Sequence, residues 1–167
     1  ALRAIAPFRR GSGLLTSNVA EAGGFLRTQP GLERPDIQFH LCIGIVDNHS
    51  RRLHATRGLS LHTCVLRPHS RGSVQLADPD ARRAPRIDPA FLTDARDMET
   101  LLAGTALARR ILAAPAFARY AGPALYDAET DDEPRLRDIV TAHADTIYHP
   151  VGTCRMGSHA ASVVAPE

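Results

Sequence analysis

The sequence predicts an α+β domain, an antiparallel sheet backed by helices. Alternating apolar residues mark successive strands in the first half, and a 3.6-residue apolar stripe marks helices in the second. Strands that follow one another without intervening helices favour antiparallel pairing, and strands followed by helices indicate α+β layers. A chain of 167 residues is one domain's worth and long enough to bury a core.

The first strand is expected over Asp36–Val46, where Ile37, Phe39, Leu41, Ile43 and Ile45 share a face. Asp47-Asn48-His49-Ser50 and Arg57-Gly58 supply turn chemistry. A second strand follows over Leu59–Leu66, with Leu59, Leu61, Thr63 and Val65 alternating, and a short third over Gly72–Leu76 after the Arg67–Gly72 connection. Asp78–Arg86 reads as a polar, proline-containing loop.

From Asp94 onward, Met98, Leu101, Leu102, Thr105, Ala108, Ile111 and Leu112 form a helical stripe that ends before Pro115. Asp94 suits the cap, and Asp97 and Glu99 complement the positive helix N-terminus. After a second loop over Gly122–Glu133, a helix is expected from Glu133 to His143, capped by Asp131 or Asp132. Its face is Leu136, Ile139, Val140 and His143, and Pro134 fits its first turn. The sequence contains no internal repeat and no low-complexity tract.

Composition narrows the function classes. With 44% hydrophobic and 23% charged residues the chain resembles a soluble globular protein. No apolar run approaches the ~20 residues of a membrane helix, and Ala1–Arg10 lacks the apolar core of a signal peptide. A cytoplasmic protein is therefore expected. All 20 basic residues are arginines, scattered against 18 acids for a net charge of +2. A nucleic-acid binder would need a clustered basic face and stacking aromatics, and aromatics are 5%. Cys42, Cys64 and Cys154 form no CxxC pair and read as buried free thiols. The histidines show no HxxxH or HExxH spacing, so no metal site is expected.

The stretch Tyr148-His149-Pro150-Val151-Gly152-Thr153-Cys154-Arg155-Met156-Gly157 places one histidine in a specified backbone. Pro150 drives His149 toward an extended conformation, and Gly152 and Gly157 permit sharp turns. Read from the residues alone, His149 is either a satisfied turn residue or an acid–base group working near neutral pH.

This stretch resembles the catalytic-histidine motif of the glucose-methanol-choline (GMC) flavoprotein oxidoreductases, especially the bacterial alcohol and choline dehydrogenases. Three more stretches resemble the same family in the same order. They are Leu15-Thr16-Ser17-Asn18-Val19-Ala20-Glu21-Ala22-Gly23-Gly24-Phe25, then Leu66-Arg67-Pro68-His69-Ser70-Arg71-Gly72-Ser73-Val74, then Pro85-Arg86-Ile87-Asp88-Pro89. The resemblance implies that residues 1–167 are a substrate-binding domain fragment, with the Rossmann-type FAD domain elsewhere in a longer polypeptide. Gly11-Ser12-Gly13-Leu14-Leu15-Thr16 begins like a dinucleotide fingerprint, but Thr16 stands in the third glycine's place and Arg9-Arg10 precede it instead of a strand. Family members carry a second catalytic histidine or asparagine farther along. The fragment alone is accordingly expected to bind no FAD and to oxidise nothing.

By resemblance the parent oxidises a primary alcohol, aliphatic or choline, to the aldehyde. FAD accepts the hydride, and His149 serves as base or stabilises the forming alkoxide. Glu21 lies in a segment that passes near the substrate in choline-oxidising relatives, where a carboxylate attracts a quaternary ammonium. Its alternative role is to anchor a turn or pair with an arginine. Arg67, Ser70, Arg71 and Gly72 read as a strand connection fixed by arginine hydrogen bonds. The Gly44–His49 stretch looks closer to the aliphatic-alcohol branch. Oxygen and quinone both stand as electron acceptors, the second implying a peripheral contact with the inner membrane. The rival readings are a hydroxynitrile-lyase-type GMC flavoprotein, whose flavin stays oxidised, and a non-catalytic binding module. Surface that the FAD domain covers in relatives is expected to promote self-association of the fragment.

Overall fold

The computed structural model describes residues 11–13, 16–52, 54, 56, 58–120 and 122–166. The readings made above for Ala1–Arg10, for Leu14 and Leu15 and for Arg57 lie outside them. Strands β1 (Ala20–Leu26), β2 (Ile37–Cys42) and β3 (Ser60–Val65) form an antiparallel sheet in that order. Strands β4 (Ser73–Gln75) and β5 (Arg86–Asp88) form a separate antiparallel ribbon. Helices α1 (Ala95–Leu112) and α2 (Glu133–His143) follow. The architecture is α+β, an antiparallel sheet backed by helices.

Alternation along β2 builds the core. Ile37 and Phe39 are 0% and 2% exposed and pair across to Val65 and Thr63 on β3, so these residues share one face. Helix α1 covers that face, adding Ala108 to the core with Leu107 and Ile111 packed against it. The helix approaches closely at Gly104, where a Cβ would stand 2.5 Å from the Thr63 methyl. Burying side chains the size of Ile37 and Phe39 contributes about 1.5–3 kcal/mol each. Helix α2 docks on α1 with Leu136 buried, and Arg137 bridges Glu99 on α1 and Glu133 on its own helix.

Both helix starts follow the sequence. Asp94 caps α1 by accepting from the Arg96 N–H, and Asp132 caps α2 by accepting from the Arg135 N–H. Asp97 does more than face the helix N-terminus. Its buried carboxylate accepts from His69 N at 2.7 Å, Ser70 N at 2.8 Å and Ser70 Oγ at 2.5 Å. Arg67 donates to the Pro35 carbonyl, and Arg71 donates to the carbonyls of Pro68, His69 and Ser70. The connection is thus held by arginine hydrogen bonds, as expected, with Asp97 as a further anchor.

The strands depart from expectation in three places. The third strand of the sheet is β1, whose small, glycine-containing sequence carries no alternation; its pairing with β2 makes it a strand, and at Gly23 a Cβ would meet the Phe39 carbonyl oxygen at 2.5 Å. The strand expected over Gly72–Leu76 instead pairs with Arg86–Asp88, whose first residue fell in the predicted loop. Gly72 makes that ribbon sterically accessible, since a Cβ there would lie 2.2 Å from the Asp88 carbonyl oxygen. Finally, β2 stops at Cys42 rather than Val46: the Ser60 hydroxyl takes over, donating to Gly44 O and accepting from Val46 N. Cys42 is buried and Cys64 half-buried, but Cys154 is exposed, against the expectation of three buried thiols.

Candidate functional site

His149 stands on the loop that follows α2. The chain leaves the helix through extended Ala144, and a short turn is closed by Thr146 N donating to Asp145 Oδ1 at 2.7 Å and Tyr148 N donating to Thr146 Oγ1 at 2.9 Å. Tyr148 is left-handed at φ +66°, an unusual state for a non-glycine residue, and it sets the direction in which the chain enters His149. Gly152 then takes φ +98°, where glycine is favoured. Beyond it the chain folds on itself through a Met156–Val164 bridge, with Gly157 N donating to Val164 O at 3.0 Å. His149 is exposed, and among the described residues no side chain bonds or stacks on its ring. The turn is closed by Asp145 and Thr146, which leaves the imidazole unspent.

A second loop, residues 47–52, packs onto this one. His49 Nε2 lies 2.6 Å from Asp145 Oδ2. The Thr146 N–H and then His49 hold the Asp145 carboxyl below the usual carboxylate range. A carboxylate only accepts, so Nε2 carries the proton. The His49 ring also sits 4.6 Å from the Tyr148 ring, tilted by 54°. Asn48, His49 and Ser50 are all left-handed, at φ +44°, +53° and +63°, a run that costs roughly 1–2 kcal/mol per residue.

The base of this loop is fastened by Asp47, which is buried. It accepts from the Tyr126 hydroxyl and pairs with His54 Nε2 at 2.6 Å. Those two hydrogen bonds keep its carboxyl below the ordinary range against the cost of burial. Tyr126 in turn stacks on His143, the last residue of α2, with centroids 3.9 Å apart.

The sheet face turned away from α1 completes the neighbourhood. His40 on β2 is directly opposite His62 on β3. Burial first, and then the nearby His40 and His49, push the His62 pKa below its ordinary value, so it is neutral at pH 7. Glu21 sits at the end of β1 where the register with β2 shifts between Ala20 and Ala22, making it the extra residue of a β-bulge. Its side chain is exposed and takes neither a turn nor an arginine partner among the described residues.

The structure therefore joins the His149 loop to residues 47–52 through His49, but no hydrogen bond, ion pair or ring contact links Glu21 to His149. An open cleft of about 420 Å³, lined by residues including Thr28, Asp36 and Arg67, lies at the other end of the sheet, away from both. Asp47 and His49 were read only as turn residues, and Asp145 and Tyr126 escaped the sequence reading. His49 and Asp145 are 96 residues apart in sequence, and no local spacing announces such a pair. An unspent imidazole can take a proton from a hydroxyl brought within hydrogen-bond reach. No helix is long and apolar enough to cross a membrane, and no group of three or more His, Cys, Asp or Glu gathers as metal ligands, both among the described residues.

Comparison with known proteins bears on the family of the chain. Residues 68–167 match the family described as GMC oxidoreductase. An alcohol dehydrogenase [acceptor] of Pseudomonas putida is 43% identical over 165 residues, covering 95% of this chain and 29% of that protein. A choline oxidase of Arthrobacter globiformis is 40% identical over 146 residues, covering 83% of this chain and 26% of its own length. The crystal structure of pyridoxine 4-oxidase from Mesorbium loti superposes with a TM-score of 0.78 at 26% identity, covering 88% of this chain and 30% of that one. The chain thus spans less than a third of these relatives.

Proposed function

Since the chain belongs to the GMC oxidoreductase family, we propose that it is the substrate-binding part, residues 1–167, of an FAD-dependent enzyme that oxidises a primary alcohol to the aldehyde. The observation that carries this reading is His149: exposed, unspent, and held on a loop fastened at Asp145. The alcohol's hydroxyl proton passes to the imidazole of His149 as its carbon gives up a hydride. The flavin, when bound, supplies the hydride acceptor. Its phosphates would be held by parts of the longer protein, because the described residues contain no glycine loop that opens a helix after a strand. Two relatives are named for alcohol and for choline. Glu21, exposed on its bulge, would favour a cationic alcohol over a neutral one. The exposed apolar residues Val74 and Ile87 on the β4–β5 ribbon, with Leu76 just after β4, would rest against the rest of the protein.

The test uses the full-length gene product and anaerobic flavin bleaching by an alcohol. His149→Ala should bleach about 10²- to 10⁴-fold more slowly than wild type. Equal rates would remove His149 from the reaction, and carbonyl release without bleaching would point to a lyase. Glu21→Gln should raise KM for a trimethylammonium alcohol by about tenfold or more, leaving that for a neutral alcohol in place.

A further inference from the structure

We propose that His49 and Asp145 are positioning residues for His149, so that the 47–52 loop sets the rate of proton removal without touching the substrate. The inference rests on the alcohol-oxidation reading and names a control of the same site. A continuous path of contacts supports it. His49 Nε2 holds Asp145 Oδ2 at 2.6 Å, Asp145 Oδ1 takes the Thr146 N–H at 2.7 Å, and Thr146 Oγ1 takes the Tyr148 N–H at 2.9 Å. Tyr148 adjoins His149, and its ring rests 4.6 Å from that of His49. The path therefore closes on itself: His49 grips the turn at its first residue and at its last.

Backbone geometry adds an independent argument. His49 and Tyr148, the two residues in ring contact, are both left-handed, at φ +53° and +66°. Such states persist only where surroundings over-determine them. Here each supports the other, and left-handed Tyr148 aims the following residue. The grip also has firm footing. Asp47, two residues before His49, is buried and holds Tyr126 and His54, and Tyr126 stacks on His143, two residues before Asp145. Both sides of the His49–Asp145 pair are thus tied to one helix end.

Neither residue belongs to the apolar core formed by Ile37, Phe39 and Ala108, so their loss should be felt locally. Displacing a catalytic group by an ångström is enough to cost roughly 10²-fold. Turnover should respond and substrate affinity should not, because the residues that would bind the alcohol stay where they are.

The experiment uses the full-length protein with His49→Ala, His49→Gln, Asp145→Ala and the double alanine variant. It reads the limiting rate of anaerobic flavin reduction, KM, and amide hydrogen exchange of peptides spanning 144–150 and of the strands 37–42 and 60–65. His49→Ala and Asp145→Ala should each slow reduction about 10- to 100-fold with KM within about twofold. The double variant should be no slower than either single one, as for residues acting as a unit. Exchange should rise in 144–150 and stay unchanged in the two strands. His49→Gln, which keeps a donor for Asp145, should recover most of the rate. A wild-type rate in His49→Ala, additive losses in the double variant, or equal rises in exchange across strands and loop would each overturn the proposal. Should His149→Ala reduce flavin as fast as wild type, the alcohol-oxidation reading fails on its own. Exchange then decides: faster exchange confined to 144–150 in His49→Ala retains the grip on the loop, and unchanged exchange removes it.

Discussion

Replacing Asp97 by alanine should cost more stability than any other single change outside the apolar core. Its carboxylate is 3% exposed and accepts from His69 N, Ser70 N and Ser70 Oγ. His69 is exposed, so water can replace the carboxylate at its N–H. Ser70 is partly buried, and its two donors are left wanting. At about 1.5 kcal/mol for each stranded donor, plus about 0.5 kcal/mol for a lost negative charge in the first turn of α1, the total is about 3–4 kcal/mol. With a urea m-value of about 2 kcal/mol/M, the midpoint should fall by about 1.5–2 M. Urea unfolding of the chain followed by far-ultraviolet circular dichroism reads it. A fall under about 0.5 M would show that water reaches Ser70 as well and that the count of stranded donors is wrong.

The same residue makes a pH prediction. Burial alone would raise the Asp97 pKa, but the donors from His69 and Ser70 outweigh it and hold the carboxyl below the usual range. A depressed folded pKa contributes stability that is present above the unfolded value, near 3.9, and is lost as pH falls through the folded one. The gap between wild type and Asp97→Ala should therefore be constant from about pH 5 to 7 and close below about pH 4.

Two further changes probe the sheet and the ribbon. Phe39→Ala should cost about 3–5 kcal/mol in the same urea assay, as a fully buried aromatic leaves a cavity beneath α1. Gly72→Ala should cost about 1–3 kcal/mol, because its Cβ would fall 2.2 Å from Asp88 O and 2.7 Å from the Pro89 backbone; hydrogen exchange in 73–75 and 86–88 should rise with it.

What the sequence revealed and what it concealed divide along physical lines. The helices were legible because capping and periodicity are local: Asp94, Asp132 and the stripe from Met98 to Leu112 lie within the segments they define. Strand β2 was legible because Ile37 and Phe39 alternate against polar neighbours. Strand β1 was not, because Ala20–Gly24 owes its conformation to a partner strand. The ribbon was half legible, since the strand around Val74 was visible but its partner Arg86–Asp88 was not, and their pairing depends on a clash avoided at Gly72. In the candidate site, His149 stood out through Pro150 and its glycines together with the family resemblance. The partners of its loop did not, because the His49–Asp145 and Asp47–Tyr126 pairs join residues far apart in sequence, which only the folded chain brings together.

Strand β2 shows how one sequence serves both the core and the site. Its odd positions, Ile37 and Phe39, face α1, while Gln38 and His40 turn to the other face. The two roles are inseparable, because a slip of one residue in register would bury His40 and expose Phe39. Large apolar side chains on the helix face therefore fix the register, and that register in turn fixes where the imidazoles stand. The edge strand is less constrained: its bulge re-aims Glu21 while leaving the Gly24–Phe39 and Leu26–Ile37 pairs intact. A charge can then change at the end of β1 without disturbing the core, whereas a change in β2 disturbs the core and the imidazoles together. Variation in substrate charge among proteins of this family is accordingly expected at the Glu21 end of β1, with β2 held nearly fixed.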